Sequence, residues 1–307
     1  MTKAQQADQK AGSTARQPGS ATPVPASVFA DALCAVDGSR ASTAAVQMAA
    51  SLAGPNGHLT LLAVTAASGS GPGASAVISA SRVKGVLRRA ASIAEDAGVP
   101  ATTVVDPGSP PVEVILERAS SHDLLAMGAP ASSRVGGMLI GGAVAATGGM
   151  IGGGVTVAAL SRFTTPMLIV RPPFAGSLHG RRIVVASDGE QGSERDVELA
   201  GRLGLAQGAQ VTLVNALGAE SKMNPRTIQA QAHALERMLP DAGEACIEPG
   251  KPWEVILNAA NSGKAALVVI GSRRLGGLRA LGSVSRRVVH DAPCSVLLVP
   301  PAQAADG

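Results

Sequence analysis

The sequence predicts an α/β protein made of two similar doubly wound units, each a mostly parallel sheet with helices on both faces. Three observations predict it. A design is written twice, roughly 150 residues apart, which is the scale of a duplicated domain and not of a solenoid unit. Within each copy, short runs dense in β-branched and apolar residues alternate with longer segments of helical period. Aromatics are nearly absent, with three Phe, one Trp and no Tyr, so the cores are built from Val, Leu, Ile, Met and Ala.

The two copies can be read against each other in chain order. The first opens with Leu33-Cys34-Ala35-Val36-Asp37-Gly38-Ser39 and the second with Ile183-Val184-Val185-Ala186-Ser187-Asp188-Gly189. Later come Asp106-Pro107-Gly108-Ser109-Pro110 and Glu248-Pro249-Gly250-Lys251-Pro252, then Glu113-Val114-Ile115-Leu116 and Glu254-Val255-Ile256-Leu257. An apolar run ending in glycine follows each, at Gly128 and Gly271. The copies close on Met167-Leu168-Ile169-Val170 and Ser295-Val296-Leu297-Leu298-Val299. The first half is expected to have strands near 32–36, 59–64, 101–105, 123–127 and 167–171, with helices near 40–53, 76–97, 111–121 and 155–162. In the second, strands are expected near 181–186, 209–214, 244–248, 265–270 and 295–299, with helices near 192–206, 225–239, 252–262 and 284–290. Pro110 and Pro252 suit the first positions of a helix, where a missing N–H costs nothing. Right-handed crossovers place helices on both sheet faces. Two domains are expected, 29–172 and 181–301, joined by a Pro/Gly/Ser linker over 173–180. The polar segments 1–28 and 302–307 read as tails, the first of them disordered.

Composition excludes several classes of function. The net charge of +4 is small and its basic residues form no long run, so no nucleic-acid partner is implied. Three cysteines without C-x-x-C spacing fit a reducing compartment and no disulfide framework, and Cys34 and Cys246 read as buried. The five histidines share no metal spacing, so no metal site is assigned. Residues 135–161 carry no charge and could span a bilayer by length. Yet nine of those 27 residues are glycine and only ten are Val, Leu, Ile or Met, so they read as a surface loop. A cytoplasmic protein without a membrane partner is the expectation. No G-x-x-x-x-G-K-[ST] loop and no Ser/His/Asp or Cys/His set is present, so no catalytic residue is assigned and the chain is not expected to be an enzyme.

Ligands of a doubly wound sheet sit where the strand order reverses, at the carboxyl ends of the strands. Asp37 and Asp188 follow the first strand of each half, and Gly128 and Gly271 follow the fourth. Around them the chain resembles the universal stress protein family in a tandem two-domain form, over about residues 29–300. The resemblance rests on Val36-Asp37-Gly38-Ser39 with Ser42, on Asp123–Gly128, and on Ser187-Asp188-Gly189 with Ser193. It rests most on Gly271-Ser272-Arg273-Arg274 followed by Gly282-Ser283-Val284-Ser285-Arg286-Arg287-Val288-Val289, and on Ala292–Val299. The resemblance implies a Rossmann-like, adenine nucleotide α-hydrolase-like fold with strand order 3-2-1-4-5 in each half. It also implies pairing through the last strand, here between the two halves of one chain, with a homodimer as a further option.

ATP-binding members of that family carry glycine, two residues, glycine, nine residues, then glycine followed by Ser or Thr. Backbone N–H groups of such a loop approach phosphate because no Cβ intervenes. The aspartate after the first strand meets the adenine, between apolar walls. Carried over to the first half, this site comprises Val36, Asp37, Val64, Met127, Gly128, Ala131 in place of the second glycine, and Gly141-Gly142. Gly136-Gly137-Met138 recurs as Gly148-Gly149-Met150, so Gly153-Gly154 is the alternative to Gly141-Gly142. In the second half the positions are Asp188, Gly271, Arg274 in place of a glycine, and Gly282-Ser283-Val284-Ser285, two residues closer to Gly271 than the motif requires. Beside this stands a plain reading, in which the aspartates tie down turns, the glycines serve close turns and Ser283 caps a helix. The resemblance implies an ATP-binding stress-response regulator. The departures from the motif, Ala131 with an expanded loop in the first half and Arg274 with a shortened loop in the second, predict at most one nucleotide per chain, in the first half. The alternative is a nucleotide-independent interaction module.

Overall fold

A computed structural model describes residues 27–65, 80–107, 110–129, 154–173, 176–190, 192–217, 224–239, 245–272 and 282–301. Residues 1–26, the tail 302–307, linker positions 174 and 175, Ala131, Gly141, Gly142, Gly153 and Arg274 lie outside them, as does most of the glycine-rich segment. The last two residues of the expected first tail are instead part of the fold, with the Ser27 hydroxyl donating to the Ala53 carbonyl at 2.6 Å and Val28 packed on the core.

Each apolar run becomes a strand and each periodic segment a helix. The first half contains β1 (Asp31–Ala35), α1 (Arg40–Ala53), β2 (His58–Val64), α2 (Ala80–Asp96), β3 (Ala101–Asp106), α3 (Pro111–Ala119), β4 (Leu124–Gly128), α4 (Gly154–Ala159) and β5 (Met167–Val170). The second contains β6 (Arg182–Ala186), α5 (Ser193–Gln207), β7 (Gln210–Leu217), α6 (Pro225–Met238), β8 (Cys246–Pro249), α7 (Pro252–Ser262), β9 (Leu267–Gly271), α8 (Ser283–Asp291) and β10 (Ser295–Val299). Local chemistry sets the helix starts. Ser39 caps α1 by accepting the Ser42 N–H at 3.0 Å. Asn224 caps α6 through the Arg226 N–H at 3.0 Å, and Pro111, Pro225 and Pro252 each begin a helix. Strand β7 runs three residues beyond its expected end because it stays paired with β8 up to Leu217 opposite Pro249. Helix α4 stops earlier than expected, in a tight turn where the Arg162 N–H reaches the Ala159 carbonyl at 3.0 Å.

The strands form one ten-stranded sheet, ordered β3-β2-β1-β4-β5-β10-β9-β6-β7-β8. Each half is parallel internally and has the order 3-2-1-4-5. At the centre β5 and β10 run antiparallel, with Ile169 opposite Val296, Leu168 opposite Leu297 and Met167 opposite Leu298. Their pairing removes two edges that would otherwise expose unpaired backbone groups. Side chains alternate between faces, so β4 sends Leu124 and Ala126 into one core layer and Leu125 and Met127 into the other. Helices α1, α2, α5 and α6 cover the first layer, while α3, α4, α7 and α8 cover the second. The outer strands β3 and β8 stay half exposed, and this corrects one sequence reading. Cys34 is fully buried, but Cys246 lies on the β8 edge, only partly covered, donating to Glu248 at 3.2 Å. No helix among the described residues is long and apolar enough to cross a membrane.

Candidate functional site

The strand order reverses at β1, which pairs with β2 on one side and β4 on the other. Connections leaving the carboxyl ends of β1 and β4 depart to opposite faces, and a crevice opens between them. A cavity of about 940 Å³ occupies this position. Its floor is made of the strand ends, with Ala35 from β1 and Val36 just beyond it, Leu62 and Val64 from β2, and Met127 and Gly128 from β4. The start of α1 supplies Ser39 through Ser42, and α3 supplies Pro111 and Ile115. Val155 and Thr156 come from α4. Asp37 stands at the mouth, exposed, with Oδ1 accepting the Ser39 N–H at 2.8 Å. It therefore ties down its turn and also faces the cavity.

Gly128 has a packing reason of its own. A Cβ there would lie 2.6 Å from the carbonyl carbon of Ala41 and 2.7 Å from the Ser42 nitrogen. No side chain fits where β4 ends against the start of α1. The Gly128 carbonyl accepts the Thr156 hydroxyl at 3.2 Å. In the second half Ser285 donates to the Gly271 carbonyl at 2.9 Å. Thr156 and Ser285 are both third residues of their helices. This register matches Gly154 to Ser283 and Val155 to Val284. Of the two glycine pairs considered, it makes Gly153-Gly154 the counterpart of Gly282-Ser283. Ser283 is the first residue of α8, and Gly282 takes the cap position without a side-chain bond.

The corresponding corner of the second half is built differently. Asp188 is exposed and accepts the Glu190 N–H at 2.9 Å. Asp196, where the first half has buried Ala45, sits almost fully buried in the first turn of α5. Its Oδ2 lies 2.2 Å from where a Cβ on Gly271 would be. Burial, with Asp188 adding to it, pushes the Asp196 carboxyl up to about 7. Ser187 replaces Val36 and joins a buried network, donating to the Gln231 Oε1 at 2.6 Å, with the Ser193 Oγ 3.0 Å away. Asn215 donates to the Ser187 carbonyl at 2.8 Å. The polar cluster thus replaces one apolar wall position, Val36, and the carboxyl stands behind the strand end at Gly271, while Ala216, Ile256, Ile270 and Val284 keep the other wall positions apolar.

The structure brings Val36, Asp37, Val64, Met127 and Gly128 together at one cavity, with the start of α4 at its side. Sequence reasoning missed Ile115, Arg171, and the turn His290 to Pro293, which also line it. Arg171 and that turn meet only through the β5–β10 pairing, which no local pattern encodes. Asp196 and Gln231 were missed too, although a charged residue on the otherwise apolar face of α5 was a signal available in the sequence. The cavity holds no reactive thiol. Cys34 and Cys294 are both pushed up to about 12, chiefly by burial.

Comparison with known proteins agrees with this architecture. The model of the universal stress protein family matches residues 29–171 and again 180–300. A universal stress protein of Thermus aquaticus is 34% identical over 134 residues, which is 39% of this chain and 98% of that relative. The crystal structure of a universal stress protein from Archaeoglobus fulgidus superimposes with a TM-score of 0.68 at 18% identity, covering 91% of this chain and 98% of the other. A second crystal structure, of a putative universal stress protein from Pseudomonas aeruginosa, gives 0.59 at 16% identity and covers 89% and 94% of the two chains. With each half matched in turn and both halves sharing one strand order, the chain belongs to the universal stress protein family, as a tandem of two domains.

Proposed function

We propose that this protein is a non-catalytic adenine-nucleotide-binding stress regulator, and that its one nucleotide site is the first-half cavity. The observation that carries this reading is the convergence of Val36, Asp37, Val64, Met127 and Gly128 on a cavity of about 940 Å³ at the reversal of strand order. The chemistry suits a purine. Val36, Val64, Met127 and Ile115 offer apolar walls to a flat ring. The Asp37 carboxylate accepts a hydrogen bond from an exocyclic amine, and Arg40 adds positive charge at the rim. ATP is the nucleotide proposed. The second half offers a different corner, because Ser187 stands in place of Val36 and is tied into a buried polar network, and the buried Asp196 carboxyl packs against Gly271. Binding without chemistry makes the protein a reporter of nucleotide state through its conformation.

Calorimetric titration of the full chain with ATP and AMP tests the proposal. One site per chain is expected. Two equivalent sites would overturn the assignment to the first half. Failure of either nucleotide to bind at millimolar concentration would favour the nucleotide-independent interaction module.

A further inference from the structure

We infer that the first-half site is bipartite: the second half builds one wall of it, and Arg171 holds that wall in place. The inference rests on the nucleotide reading above and adds a second body to the site. Its origin is topological. Antiparallel pairing of β5 with β10 sets the carboxyl end of the first half's sheet, where ligands gather, beside the amino end of β10. The chain enters β10 from the last turn of α8, so His290 to Pro293 fall on the cavity of the other half and line it.

Arg171 is the joint. It follows β5 directly, lines the cavity, and donates its own N–H to the Ser295 hydroxyl at 3.2 Å. Its guanidinium Nη2 donates to the Val289 carbonyl and, at 3.0 Å, to the His290 carbonyl. Carbonyls in the last turn of a helix lack partners within the helix, and a cation there is favourable. A residue of the first half thus caps a helix of the second. That last turn is anchored from its other side as well. Arg287 stacks 4.7 Å from the centre of the Trp253 ring and pairs with Asp291 at 2.5 Å. The arrangement is one-sided. Gly128 and Gly271 stand opposite Val170 and Val299 in their sheets, so Arg171 corresponds to Pro300, which offers neither cation nor donor.

A ligand in the first half therefore touches α8, and α8 starts at the second half's own glycine corner, where Ser285 meets Gly271. Occupancy of one half is passed to the other through a single nine-residue helix.

The test uses the full chain, titrated with ATP and with adenosine, in wild type, His290→Glu and Arg171→Met. His290 is largely exposed and its ring meets Asp291 at 2.5 Å, so its replacement is expected to leave the fold intact. His290→Glu is expected to weaken ATP roughly tenfold, by placing a like charge at the wall, while leaving adenosine unchanged. Arg171→Met is expected to weaken both by about tenfold, by loosening the wall. Hydrogen exchange in residues 286–294 is expected to slow when ATP saturates wild type. Wild-type affinity for ATP in both variants, with unchanged exchange in α8, would overturn the shared wall while leaving the nucleotide reading standing. No binding of ATP to wild type would overturn both.

Discussion

The Thr156 hydroxyl donates to the Gly128 carbonyl at 3.2 Å and so fastens the start of α4 to the carboxyl end of β4. Ser285 and Gly271 repeat the relationship in the second half at 2.9 Å. Between these fixed points the loops of the two halves differ in length and composition, yet both helices arrive at the same place. Thr156→Val should remove the bond and leave a partly buried carbonyl unsatisfied, at a cost of about 1–2 kcal/mol in stability. Thr156→Ser should keep most of it. The denaturant midpoint of full-length protein is the measurement, and an unchanged midpoint in Thr156→Val would show that the hydroxyl contributes nothing.

Asp37 is expected to carry a large part of nucleotide affinity. A hydrogen bond to a charged group contributes about 1.5–3 kcal/mol, so Asp37→Ala should weaken ATP by roughly ten- to a hundredfold. Asp188→Ala should leave ATP affinity where it was, because the cavity lies in the other half. Calorimetry on both variants checks the pair together.

Asp196 should make stability depend on pH. Its folded pKa is raised from 3.8 to about 7, mainly by burial. The folded state therefore binds the proton more tightly than the unfolded chain. The resulting stabilisation is fully present below pH 3.8, falls as pH rises, and is gone above about 7. Asp196→Asn, which mimics the protonated form, should flatten this slope between pH 4 and 7 and raise stability at pH 8 by a few kcal/mol at most, at about 1.4 kcal/mol per pKa unit. Urea midpoints taken at several pH values read it directly, and an unchanged slope would remove Asp196 as the source.

The two strand-end glycines should answer differently to the same substitution. A Cβ on Gly128 meets backbone at 2.6 Å, which cannot move aside. Gly128→Ala is therefore expected to destabilise by roughly 1–3 kcal/mol with no simple rescue. At Gly271 the clash is with a carboxylate oxygen of Asp196 at 2.2 Å. Adding Asp196→Ala to Gly271→Ala should recover most of the loss. A double-mutant cycle with no coupling between 196 and 271 would show that the carboxylate does not fill that space.

The repeat, the alternation of strand and helix, and the residues at the strand ends are all legible in the amino-acid sequence. These depend on local periodicity, on helix starts such as Ser39 and Pro252, and on apolar runs such as Leu267–Ile270, all of which act over a few residues. Asp37 and Gly128 were legible as site residues because parallel topology sends the carboxyl ends of β1 and β4 to one place. Tertiary structure alone decided what else stands around them. Arg171 and His290 are 119 positions apart, and only the antiparallel register of β5 with β10 brings them to one cavity. Asp196 is one of several charged residues on α5, and only the fold turns it inward beneath Gly271. Local pattern sets which face of an element is apolar. Which neighbour that face meets is a matter of chain packing, and there the two halves of this duplicated chain became unequal.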